Sequence, residues 1–121
     1  VKLGNPLLIV TVAPGPPVAA LVDLWKERIR QFAVEGCTLE HDDVDHPHGE
    51  LAGAAAGYAW AAFVQGQPPD PDHELQLADP PPDWPFEDSW WKPRGARENL
   101  VRAGALILAE IERLDRKAGV P

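Results

Sequence analysis

Apolar residues recur at helical spacing in three separate stretches of the chain. In residues 18–34, Val18, Leu21, Val22, Trp25, Ile29 and Phe32 fall at steps of three and four, with Asp23, Lys26, Glu27, Arg28 and Arg30 mostly on the other side. This pattern predicts an amphipathic helix whose apolar side faces a core, ended at Gly36. Residues 49–64, GELAGAAAGYAWAAFV, are small or apolar almost throughout after Glu50. A helix of that composition has no wide polar face and lets neighbours come close, so it is expected at the centre. In residues 96–117, Leu100, Ala103, Gly104, Ile107, Ile111 and Leu114 repeat at helical spacing. Glu98 with Arg102, and Glu112 with Arg116, stand four apart in the orientation that supports a helix. Gly104 is expected where this helix crosses the Ala-rich one, because an interior glycine costs about 1 kcal/mol unless close backbone approach requires it.

Between the second and third helices, residues 65–94 hold eight of the 14 prolines and the aromatics Trp84, Phe86, Trp90 and Trp91. A connection of this length inside a compact domain predicts a functional or anchoring loop, and no regular strands are expected in it. The fold class is therefore all-α: one domain over residues 1–121, with three main helices and a long Pro/Trp-rich loop between the second and third. Residues 1–16 are set apart as an N-terminal extension, with room for one short strand at 5–12. The apolar run at 7–12 is too short to span a bilayer and has no basic flank beyond Lys2, so neither a membrane span nor a secretion signal is expected.

Charge narrows the function classes. With 19 acidic and 11 basic residues the formal charge is -8, a field that repels a nucleic-acid backbone. The charge is also segregated: no Lys or Arg occurs from Glu35 to Trp91, whereas residues 92–117 are basic-leaning. The lone Cys37 excludes an intrachain disulfide framework and has no base beside it in sequence, and a cytoplasmic protein is the expectation.

Three clusters are candidates for chemistry. The run from Glu40 to Glu50 is dense in carboxylates and imidazoles, which suit hard and borderline divalent ions. It fits neither the calcium-loop pattern nor a zincin helix. The other reading is a solvated, turn-rich acidic loop in which Asp43 or Asp45 caps a helix or turn. Lys92, Arg94 and Arg97 flank a predicted helix start, where free backbone N–H groups attract phosphate. They serve equally well as partners for the acidic middle of the chain. Each loop tryptophan is either an anchor or a stacking surface, and Trp90 and Trp91 cannot both face inward on an extended chain.

Taken together, residues 27–36 (ERIRQFAVEG), 41–59 (HDDVDHPHGELAGAAAGYA), 83–93 (DWPFEDSWWKP) and 97–116 (RENLVRAGALILAEIERLDR) resemble a family of small phage and prophage proteins. These in turn resemble the all-α MazG-like nucleotide pyrophosphohydrolases. The resemblance implies a divalent ion, Mg2+ or Mn2+. The middle helix carries Glu50 alone, with small residues where that group has further glutamates, so the implied ligands are Asp42, Asp43, His46 and Glu50. Lys92, Arg94, Arg97 and Trp90 would then bind the nucleotide. Two other readings stand beside this one. One is a non-enzymatic, phage-encoded protein that binds a host protein or a nucleotide through its acidic surface and Trp-rich loop. The other is a helical assembly protein whose Ala-rich faces pair into a homo-oligomer.

Overall fold

The structure is a computed structural model describing residues 18–34 and 39–121. The N-terminal extension, the helix end at Gly36 and Cys37 lie outside the described residues, as do the side chains of Val34, Leu39 and His41. Among the described residues five α-helices follow one another: α1 (Val18–Val34), α2 (Leu39–Asp45), α3 (Glu50–Gln65), α4 (His73–Ala78) and α5 (Ala96–Ala118), with one 3-10 turn at Asp88–Trp90. There is no β-strand among the described residues, so the fold is all-α as the periodicity predicts. The three long helices coincide with the predicted ones to within a residue or two. The acidic stretch departs from expectation, since residues 39–45 form a helix rather than a turn-rich loop. Glu40 and Asp42 in its first turn favour the positive helix end, and Pro47 ends it by disfavouring helical backbone at His46.

α5 is the central element and packs against both α1 and α3. It runs antiparallel to α3, with Asn99 beside Gln65, Arg102 beside Tyr58 and Glu110 beside Gly49. It runs parallel to α1, with Arg97 meeting Asp23, Gly104 meeting Leu24 and Glu112 meeting Arg28. The core between α3 and α5 is made of Ala55, Tyr58, Ala61 and Ala103, closed by Trp91 from the loop.

The loop is anchored on the small residues of α3. A Cβ at Gly57 would stand 3.1 Å from the Trp84 ring and 3.3 Å from that of Trp91, so any larger residue asks both rings to shift by a few tenths of an ångström. Trp91 stacks on Tyr58 at 5.1 Å and meets Trp84 edge-on at 5.0 Å, and its indole N–H donates to the Leu77 carbonyl at 2.9 Å. Trp90 is exposed, so the two neighbouring rings do point to opposite sides. At the loop's end the fully buried Asn99 fixes Arg94: its amide donates to the Arg94 carbonyl at 2.9 Å and its oxygen accepts from the Arg94 N–H at 2.8 Å.

The apolar stripes do not lie where a core was expected. Leu21, Trp25 and Ile29 of α1 are 69%, 55% and 49% exposed, and Leu100, Ile107, Ile111 and Leu114 of α5 are each about half exposed. Instead α1 turns Leu24, Arg28 and Gln31 towards α5. The cause is local. Gly104 lets α1 approach over a small residue, and Arg28 finds carboxylates only on that side. The close approach predicted at Gly104 is therefore real, but its partner is Leu24 of α1 and not the Ala-rich helix.

Candidate functional site

The densest charge in the molecule gathers where α2, the start of α3 and the last turns of α5 meet. Arg28 reaches from α1 into this end. Its Nη2 lies 2.7 Å from Glu112 Oε1 and 3.8 Å from Asp42 Oδ2, and both Arg28 and Asp42 are buried. Arg113 grips Glu110 one turn back with bonds of 2.6 and 3.1 Å, and this pair too is buried. Arg116 clasps Asp43 through Nε and Nη2, at 2.8 Å for the shortest contact. These hydrogen bonds from Arg116 hold the Asp43 carboxyl below the usual carboxylate range and push the guanidinium of Arg116 up. Two carboxylates of the acidic stretch, Asp42 and Asp43, are thus paired with arginines from α1 and α5.

The four residues expected as metal ligands have separate partners. Asp42 faces Arg28 and Asp43 faces Arg116. The His46 ring packs edge-on to Phe86 at 5.1 Å. Glu50 Oε1 accepts the His48 N–H at 2.6 Å. Partial burial raises the pKa of Glu50, but backbone N–H bonds from Glu50 itself and His48 outweigh it, and the carboxyl rests below its ordinary value. Among the described residues, no three His, Cys, Asp or Glu side chains are arranged to hold one ion.

The residues expected to bind a nucleotide sit at the opposite end. Arg97, in the first turn of α5, pairs with Asp23 at 2.9 Å, and the Lys92 amine stands 5.6 Å from the centre of the Trp90 ring. Arg94 offers its backbone to Asn99 and Gln65. With a helical rise of about 1.5 Å per residue, Arg97 and Arg116 are separated by about 28 Å along α5. The expected phosphate-binding and metal-binding sets are therefore not brought together within one chain. Neither four-apart pair on α5 is a direct ion pair, although the charge of Glu112 still favours the cation of Arg116. Arg102 donates to the Tyr58 hydroxyl and the Lys92 carbonyl, and Glu112 and Arg116 bind Arg28 and Asp43 instead.

Beside Arg97 a groove of about 290 Å³ follows one side of the α1–α5 seam, lined by Asp23, Lys26, Glu27, Arg30, Arg97 and Arg102 among others. Its charges largely satisfy one another. Arg30 bonds Glu27 at 2.6 and 2.8 Å, and although burial works to raise the pKa of Glu27, Arg30 brings it below the ordinary value. The other side of the same seam is apolar. Lys26 and Arg30 of α1 and Val101 of α5 belong to the groove side, so Trp25, Ile29 and Phe32 of α1 and Leu100, Ile107 and Leu114 of α5 fall together on the far side. Phe63 of α3 is exposed as well, next to the outward-facing Ala52, Ala56 and Ala59.

The partners that sequence reasoning missed are Arg28, Asn99, Glu110 and Arg113. Asn99 has one legible signal, a polar residue four positions before Ala103 on the same side of α5, whereas Arg28 falls in sequence on the polar side of its helix and gave none. No family model matches the chain, and neither a curated protein nor a solved structure matches it significantly.

Proposed function

We propose that this chain is a non-enzymatic relative of the MazG-like proteins, a cytoplasmic helical binding protein that docks another polypeptide on the apolar face formed by α1 and α5. The observation that carries this reading is the exposure of both stripes on one side of the seam. Ten large apolar side chains contribute, each roughly half exposed. Two of them, Trp25 and Phe32, are aromatics that bury about 150–250 Å² each when fully covered, and with the aliphatic side chains the patch exceeds the few hundred Å² above which an exposed apolar surface marks an interaction site. A surface of that size in water favours a partner, because covering it is the main source of association free energy. The partner is a polypeptide rather than a nucleotide, since the stripe of α5 carries no charge for a phosphate to meet. The Trp-rich loop is not the docking surface on this reading, because Trp84 and Trp91 are spent on Tyr58 and Gly57.

A photo-crosslinking side chain at Ile107 is expected to give a covalent adduct with a second polypeptide in the expressing cell. The same group at Leu75, an exposed residue of α4, is expected to give none. No adduct from position 107 would remove the docking reading.

A metal-dependent nucleoside triphosphate pyrophosphohydrolase is the second reading. It is favoured by one observation: Asp42, Asp43 and Glu50 share their end of the bundle with Glu110 and Glu112. An ion there would have to displace arginines from carboxylates, and one bridging a triphosphate would activate water for attack at the α-phosphorus. Incubation with deoxynucleoside triphosphates and millimolar Mg2+ or Mn2+ separates the readings. The docking reading expects neither pyrophosphate release nor a metal-induced rise in melting temperature. Pyrophosphate appearing together with the nucleoside monophosphate would replace it with the enzyme.

A further inference from the structure

Resting on the docking reading, we infer that residues 7–12 of the N-terminal extension cover the α1–α5 face while no partner is bound, and that a partner gains the face by displacing them. The occupant follows from what the chain itself brings to that face. Leu7, Leu8, Ile9, Val10 and Val12 form the most apolar run outside the helices, and no charged residue occurs between Lys2 and Asp23. The stripes of α1 and α5 carry no charge either, so burial of apolar surface is the attraction that both sides can supply. The groove on the opposite side of the seam, with Lys26, Arg30 and Arg97, offers such a segment nothing.

Connection and reach agree with this. The chain enters α1 at Val18, itself an exposed member of the apolar stripe. Just before it, Ala13-Pro14-Gly15-Pro16 has proline and glycine at the two central positions of a type II turn, the chemistry that reverses a chain. A reversal there sends residues 12 to 7 back along α1. Six extended residues span about 20 Å, and the stripe from Val18 to Phe32 is about 21 Å long at the helical rise. In an extended chain Leu8, Val10 and Val12 share one side, which would lie between Val22, Trp25 and Ile29 of α1 and Leu100, Ile107 and Ile111 of α5. A segment tethered this closely competes at an effective concentration on the order of millimolar. Coverage of this kind therefore selects for partners that hold the face tightly.

Photo-crosslinking from Ile107 in the purified full chain tests the coverage. The expected product keeps the single-chain mass, and fragmentation mass spectrometry places the linked residue within 7–12. A link to any other part of the chain, a band at twice the chain mass, or no link would overturn the inference. Val10→Asp puts a charge on the covering segment and alters no residue of the bundle. It is expected to reduce the internal link several-fold and to raise capture of a second polypeptide from position 107 in expressing cells by a similar factor, with the helical circular dichroism retained. Unchanged linking in this variant would overturn the inference, as would unchanged capture. The two readings fail separately. If position 107 captures a partner equally in both forms and the purified protein shows no link to residues 7–12, the covering segment is excluded and the docking reading stands. If the link to 7–12 forms and neither form captures a partner, the segment covers the face and the docking reading is lost.

Discussion

Replacing Arg28 with methionine is expected to cost the protein about 3–5 kcal/mol of unfolding free energy, the range measured when one member of a buried ion pair is removed. Arg28 is buried and faces Asp42, which is fully buried, and Glu112 across the α1–α5 seam. Methionine keeps most of the packing of the long side chain, so the loss isolates the charge. Asp42 would then be left in a low-dielectric place without its guanidinium, and either the carboxyl takes up a proton or the seam opens to water. Denaturant unfolding followed by circular dichroism measures the effect. The double variant Arg28→Met with Asp42→Leu should recover a large part of it, since replacing a whole buried pair by apolar groups is often neutral. A single variant within about 1 kcal/mol of the parent would show that the cluster is not an interior one.

The second large effect is expected at Gly104. A Cβ there would lie 2.6 Å from Leu24 Cδ1 and 2.9 Å from both Cγ and Cδ2. Alanine requires the whole Leu24 side chain, Cγ included, to swing away, against a gain of about 1 kcal/mol of helix propensity, so Gly104→Ala should cost far less than leucine. Leucine cannot be accommodated by a rotamer change and must push α1 off α5. Its cost is expected at about 3 kcal/mol or more, a fall in melting temperature on the order of 10 °C. Pairing it with Leu24→Ala returns the volume to the seam and should restore much of the loss. If Gly104→Leu melts like the parent, or if the pair shows no coupling, Leu24 does not rest on Gly104.

How much could be read beforehand differs between the elements and their surroundings. The helices were legible because α1, α3 and α5 each satisfy a period or a composition over four or more turns. Periodicity reports that a helix has an apolar side but not what covers that side. Trp25 and Ile107 therefore looked like core residues, while the contact between α1 and α5 is made by a glycine, a leucine and an arginine. The loop was legible in part: the alternation that forbids Trp90 and Trp91 a common side was visible, whereas the short helix His73–Ala78 gave no periodic signal over its six residues. The acidic stretch showed its carboxylates plainly. Its neutralising partners were hidden because Arg116 stands 73 positions from Asp43, a pairing that only the fold creates.

The place of α5 between α1 and α3 bears on how the chain is made. Synthesis delivers α1 and then α3, yet each packs chiefly on α5, which follows both. Until residues 96–118 are complete, the Ala-rich side of α3 and the Leu24 side of α1 have nothing to close against. Folding of these helices is therefore held back until α5 is made, and a chain cut short before Ala96 keeps neither seam. For quality control, loss of residues 96–118 leaves no folded remnant of the bundle, only a fragment open to proteolysis.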